Sequence, residues 1–150
     1  MDTREQIVAE ARSWLGTPYH HQQSTRGAGC DCVGLVRGVG VACGVMLPRL
    51  EEWARFAGYS RRPNPRRMAE GMHTFLMPLP DGAEPLPGDI AWLQWRTNLP
   101  MHLALLAHDA AGAPQLIHSF SDAGHVVCHG LTLQWRERVV SWWRYPGVAE

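Results

Sequence analysis

The chain has 150 residues, 45% of them hydrophobic, which is the size and composition of one domain able to bury a real core. Fourteen basic residues, all arginine, balance fourteen acidic ones, so net charge points neither to nucleic acid nor to an anionic membrane surface. No apolar run reaches the roughly 18 to 20 residues of a membrane span, and residues Met1 to Gln6 lack the basic and apolar regions of an export signal. Synthesis in the cytoplasm as a single domain over residues 1–150, without membrane insertion, is the expectation.

Thr3 and Gln6 have the form of a capping box, and Ile7, Val8, Ala11, Trp14 and Leu15 recur at helical spacing, predicting an amphipathic helix over 3–15. Gly16-Thr17-Pro18-Tyr19 ends it. A polar loop from His20 to Gly29 gives way to an apolar run, Val33 to Val45, that belongs in the interior. A second helix is predicted over 32–44, and its Gly34, Gly38 and Gly40 argue for close approach to another backbone. Glu51 to Gly58 reads as a short helix, Arg61 to Arg67 as a charged, proline-bracketed turn, and Met68 to Leu76 as a third long helix. Beyond Gly88 the texture is strand-like: 90–95, 101–107, 115–120, 125–129 and 139–145 are short β-favouring runs. Helices first and an antiparallel sheet afterwards make an α+β fold.

The chemistry concentrates at Asp31-Cys32. With Asp31 as N-cap, Cys32 opens the second helix, where free backbone N–H groups and the helix dipole favour thiolate. A nucleophilic thiol needs a base and a group that orients the base. Of eight histidines, His102 and His118 fall in consecutive strands, and a hairpin centred near residue 110 sets them directly opposite on one face. His20, His21, His73, His108, His125 and His129 read as surface or satisfied polar residues. The Cys30-x-Cys32 spacing is tighter than that of structural zinc pairs, and no metal or other cofactor is expected.

Five motifs in order, Gly16-Thr17-Pro18-Tyr19, Asp31-Cys32-Val33-Gly34-Leu35-Val36, Leu86-Pro87-Gly88-Asp89-Ile90, His102-Leu103-Ala104-Leu105-Leu106 and Ile117-His118-Ser119, resemble those of the NlpC/P60 cell-wall peptidases. The tract Tyr59-Ser60-Arg61-Arg62-Pro63 and the valine after Cys32 resemble the branch found in phage tails and gene-transfer particles. The resemblance implies a papain-like fold with Cys32 as nucleophile, His102 as general base and His118 as the orienting residue. It also implies a substrate cleft lined by Tyr19 and Asp31, with Asp31 suited to a substrate amine. The implied substrate is the peptidoglycan stem peptide, cut between γ-D-glutamate and a diamino acid. The implied partners are tail-tip or baseplate proteins, and the implied site of action is the periplasm of a target cell. Two alternatives stand beside the peptidase: a catalytically weak docking subunit of a tail tip, and an acyl-transferring enzyme on the same scaffold.

Overall fold

In the computed structural model the described residues are 2–47, 49–59, 62, 64–95 and 98–149. Helix α1 (Thr3–Ser13) starts at the predicted residue and ends two earlier, and its capping box lies one residue before the predicted one. Asp2 is the N-cap, its carboxylate accepting from the Glu5 amide at 2.8 Å while Glu5 accepts from the Asp2 N–H at 2.9 Å. Ile7, Ala11 and Trp14 are buried as their spacing predicts, whereas Leu15 lies beyond the C-cap and stays 43% exposed.

The polar loop holds a small two-stranded sheet, β1 (Ser24–Thr25) with β2 (Gly29–Cys30). Helix α2 (Cys32–Ala42) opens at the predicted residue and ends two earlier. Its glycines meet backbone at only one of three positions. A Cβ on Gly34 would stand 1.8 Å from the Gln23 carbonyl oxygen, but Gly38 faces the Trp14 ring and Gly40 the Tyr145 ring. The expected backbone approach therefore comes from the loop before the helix, and the other two glycines make room for aromatic side chains.

Helices α3 (Leu50–Ala57) and α4 (Pro65–Phe75) follow. Helix α4 begins three residues before its predicted start: Asn64 caps the Arg67 amide and Pro65 takes the first helical position, so the second half of the supposed turn is helix. Ser60, Arg61 and Pro63 of that tract, and Pro48 of the preceding break, lie outside the described residues.

The main sheet has six antiparallel strands in the order β3 (Met77–Pro78), β8 (Val139–Arg144), β4 (Ile90–Gln94), β5 (Pro100–His108), β6 (Pro114–Ser119) and β7 (Val126–Gly130). The five longer strands match the predicted runs to within about a residue. Side chains alternate across it. Leu103, Leu105 and Ile117 join Leu35, Val36 and Val39 of α2 in the larger core, while Ala91, Leu93, Ala104, Leu106 and Leu116 pack on the other face with Leu131 and Trp135. That second layer belongs to a short helix, α5 (Leu133–Arg136), which the sequence reading missed. Trp143 is buried in the larger core and Trp142 packs in the second, so the adjacent tryptophans divide between the two faces of the sheet.

Candidate active site

Cys32 stands on the first turn of α2, fixed by two features of its own segment. The Asp31 carboxylate accepts from the Gly34 N–H at 2.8 Å, closing the cap, and Gly34 lets the Gln23 carbonyl press against the helix start. Any side chain at 34 would move the thiol. Three backbone N–H groups, of Leu103, Val33 and Cys32 itself, face the sulfur.

Those donors do not produce the thiolate expected from the helix terminus. Burial, reinforced by the neighbouring Asp31 carboxylate, pushes the Cys32 thiol up to about 12. Cys30, fully buried in β2, is pushed up to about 11, first by burial. All four cysteines are free. Alkylation of Cys32 at pH 8 is accordingly expected to run roughly a thousandfold slower than that of an ordinary thiol, and Asp31→Asn is expected to speed it. Rates with iodoacetamide across pH check this; wild-type reactivity at neutral pH would contradict it.

A cleft of about 690 Å³ opens above the sulfur, between α2, α3, α4 and the loop at Tyr19. Tyr19, Asp31 and Cys32 line it together, with Leu103 in the wall and Arg37, Arg55, Arg62 and Arg67 around it. Asp31 is only 3% exposed and already engaged. Its second oxygen accepts from the Gln22 N–H at 2.8 Å and from the Tyr59 hydroxyl, with His21 Nδ1 3.8 Å away. The Tyr59 ring is edge-on to His21. Tyr59 thus closes over the residue expected to meet a substrate amine. Sequence reading noted Tyr59 only within a tract, not as part of the site, because nothing local ties residue 59 to residue 31.

His102 and His118 come together, though not as the hairpin centre near 110 implied. β5 and β6 pair Leu105 with Ile117 and Leu106 with Leu116, a register that sets His118 level with Ala104 and His102 two residues further along. The two are diagonal neighbours on one face, and the long imidazoles bridge the diagonal: His102 Nε2 lies 2.6 Å from His118 Nδ1. Both are buried, and desolvation holds their protonation far below the usual range, His102 at about 3 and His118 at about 2. Their face is that of Leu93, Ala104 and Leu116, opposite to the one on which α2 lies, under Phe120 and Trp135. The link to the thiol is the backbone: the Leu103 nitrogen that faces the sulfur follows the His102 Cα by two bonds.

One histidine dismissed as surface polar belongs to this group. His129 is half-buried on β7, its Nε2 2.6 Å from His118 Nε2. Its signal was two-residue alternation along β7, the edge strand beside β6, which register alone turns into contact. Among the described residues no group of three or more His, Cys, Asp or Glu side chains is arranged to hold a metal ion, and no helix is long and apolar enough to cross a membrane.

Neither a family model nor a curated protein matches the chain. Solved structures do. An NlpC/P60 family protein from Bacillus cereus aligns over 95% of the chain with TM-score 0.65 and 19% identity, and NlpC1 from Trichomonas vaginalis over 95% with TM-score 0.59 and 19% identity. The peptidoglycan hydrolase RipB from Mycobacterium tuberculosis aligns over 97% with TM-score 0.54 and 19% identity. The chain spans 40% and 44% of the first two and 66% of RipB. Element order, sheet topology and these alignments agree: the chain has the papain-like α+β fold of NlpC/P60 domains.

Proposed function

We propose that this protein is a cysteine endopeptidase acting on peptidoglycan stem peptides. The observation that carries the reading is the thiol of Cys32 at a capped helix start, in the wall of a cleft, against the amide next to a hydrogen-bonded histidine pair. Because burial keeps thiol and imidazole both neutral at rest, the chemistry is general-base attack and not reaction of a preformed ion pair. On this reading His102 is the base that takes the Cys32 proton as sulfur adds to the peptide carbonyl, its ring turning from the second face of the sheet toward the cleft to do so, and His118 orients that ring. Backbone N–H groups at the helix start stabilise the oxyanion, a contribution of about 2.7 to 4 kcal/mol per donor. The C–N bond then breaks, the His102 proton leaves with the amine, and water activated by His102 releases the acyl group.

The substrate class has its own support. Four arginines around the cleft suit a peptide rich in carboxylates, which the γ-D-glutamyl–diaminopimelate segment of a stem peptide is, and Tyr19 and Asp31 line the same cleft. Neighbours of this fold include a protein named as a peptidoglycan hydrolase. Incubation of purified protein with peptidoglycan is expected to release new diaminopimelate amino termini, and Cys32→Ala is expected to abolish the release; equal release by that variant would exclude Cys32 as nucleophile.

A second reading, a docking subunit with weak or no catalysis, is favoured by one observation: Cys32 is pushed up to about 12, which describes an inert thiol. Wild-type inactivity on several peptidoglycan types would select it. Either way the proposed setting is a phage-like tail tip, reaching the periplasm of a target cell, a proposal that rests on the tract around Tyr59. Purified particles containing the protein at the tail tip would support it; recovery free of any particle would count against it.

A further inference from the structure

The three histidines do not converge on a point, as ligands of one metal ion would. They form a line, because His118 spends one ring nitrogen on each neighbour: Nδ1 on His102 and Nε2 on His129. The line ends at a carbonyl, with His129 Nδ1 2.9 Å from the Gly130 oxygen. For a neutral row that terminus fixes every proton. A carbonyl only accepts, so His129 Nδ1 carries hydrogen and, in the neutral ring, its Nε2 is a bare acceptor. His118 must then donate from Nε2, which leaves His118 Nδ1 bare, and His102 must donate to it from Nε2. The last consequence falls on His102 Nδ1: it is left unprotonated. Burial keeps His102 and His118 neutral, and with a neutral ring at 129 as well this one-directional arrangement is the one the row holds.

We infer that His129 is a positioning residue that acts through His118 to set the tautomer of His102, leaving His102 Nδ1 unprotonated and free to accept. This rests on the peptidase reading for its purpose but not for its observation. A donor-only group at position 129 would reverse the row: it would donate to His118 Nε2, His118 would donate from Nδ1 to His102 Nε2, and His102 would carry its hydrogen on Nδ1, useless as a base. An acceptor-only group would preserve it. The ring surroundings leave little room for another solution, since His118 is stacked on Phe120 at 4.5 Å between ring centroids and Trp135 lies 4.7 Å from His129. The Arg138 guanidinium lies over the Trp135 ring, 4.9 Å from its centroid.

The test is ¹⁵N–¹H long-range correlation of histidine-labelled protein, with His102 assigned by its loss in His102→Gln. Wild type is expected to show His102 protonated at Nε2 and bare at Nδ1. His129→Glu, which can only accept, is expected to keep that tautomer, and His129→Lys, which can only donate, to switch it. On peptidoglycan the Lys variant is expected to lose about a hundredfold or more in kcat, the general-base contribution, with KM little changed. An Nδ1–H His102 in wild type, or an unchanged tautomer in a folded His129→Lys, overturns the inference; should the Lys variant not fold, the wild-type spectrum decides alone. Absence of peptidoglycan cleavage alongside the expected tautomers would remove the peptidase reading and leave the role of His129 standing.

Discussion

At pH 5 the protein is expected to be about 4 kcal/mol less stable than at pH 7, and the two buried histidines are the reason. In the unfolded chain each binds a proton below about pH 6.5, whereas in the fold His102 does so only near 3 and His118 near 2. Their stabilising contribution is thus fully present above about pH 6.5 and is lost as pH falls from there toward 3. Between those limits unfolding takes up close to two protons, a slope of up to roughly 2.7 kcal/mol per pH unit. Most carboxylates titrate below pH 5, so the upper part of this window belongs to histidine. Urea unfolding at pH 7, 6 and 5 measures the slope. Replacing His118 by Gln should roughly halve it, while a flat profile in wild type would mean that the pair is hydrated or charged in the fold. A domain of this size has only about 5 to 15 kcal/mol in total, so the acid form is expected to be marginal by pH 4.

The same pair shows where sequence stops informing. Alternation along two strands was enough to put His102 and His118 on one face, because parity survives an error of two residues in register. It was not enough to place them level, since the hairpin tip is one residue longer than a centre at 110 allows; Asp109 organises it by accepting from the Ala111 and Ala113 amides. The Asp31 cap was readable because capping is local, and the helix begins where the cap says. The thiol's protonation was not, because its burial is set by chain far away in sequence, the β5 strand at Leu103 included, and outweighs the dipole at the terminus. Tyr59 and His129 escaped for the same reason: each reaches the site by a contact that no local pattern encodes.

Asp89→Ala is expected to cost about 3 kcal/mol, with a fall in Tm of roughly 10 °C. Sequence analysis found Asp89 inside a motif and could give it no duty. In the fold it is fully buried and is the junction of three segments. Arg144 of β8 donates to both its oxygens at 2.9 and 2.8 Å, Arg4 of α1 donates at 3.0 Å, and the Leu86 N–H at 2.8 Å. Removing the carboxylate leaves two arginines whose side chains are only 14% and 16% exposed facing an empty acceptor, the costly way to break a buried ion pair. The estimate sits at the low end for such changes because each guanidinium keeps some contact with water. A Tm within about 2 °C of wild type would show that water replaces the carboxylate without loss. Arg144→Met in the Asp89→Ala background should recover part of the stability, since an apolar replacement needs no acceptor. The effect reaches the site through the sheet. Gly88, held at φ +95 where other residues are strained, donates its N–H to the Leu106 carbonyl at 2.8 Å, and the same β4–β5 ladder sets Leu93 opposite His102. A chain that loses its hold on Asp89 therefore loosens the strand that carries His102, so on the proposed reading the variant should lose peptidoglycan cleavage at temperatures where the fold still survives.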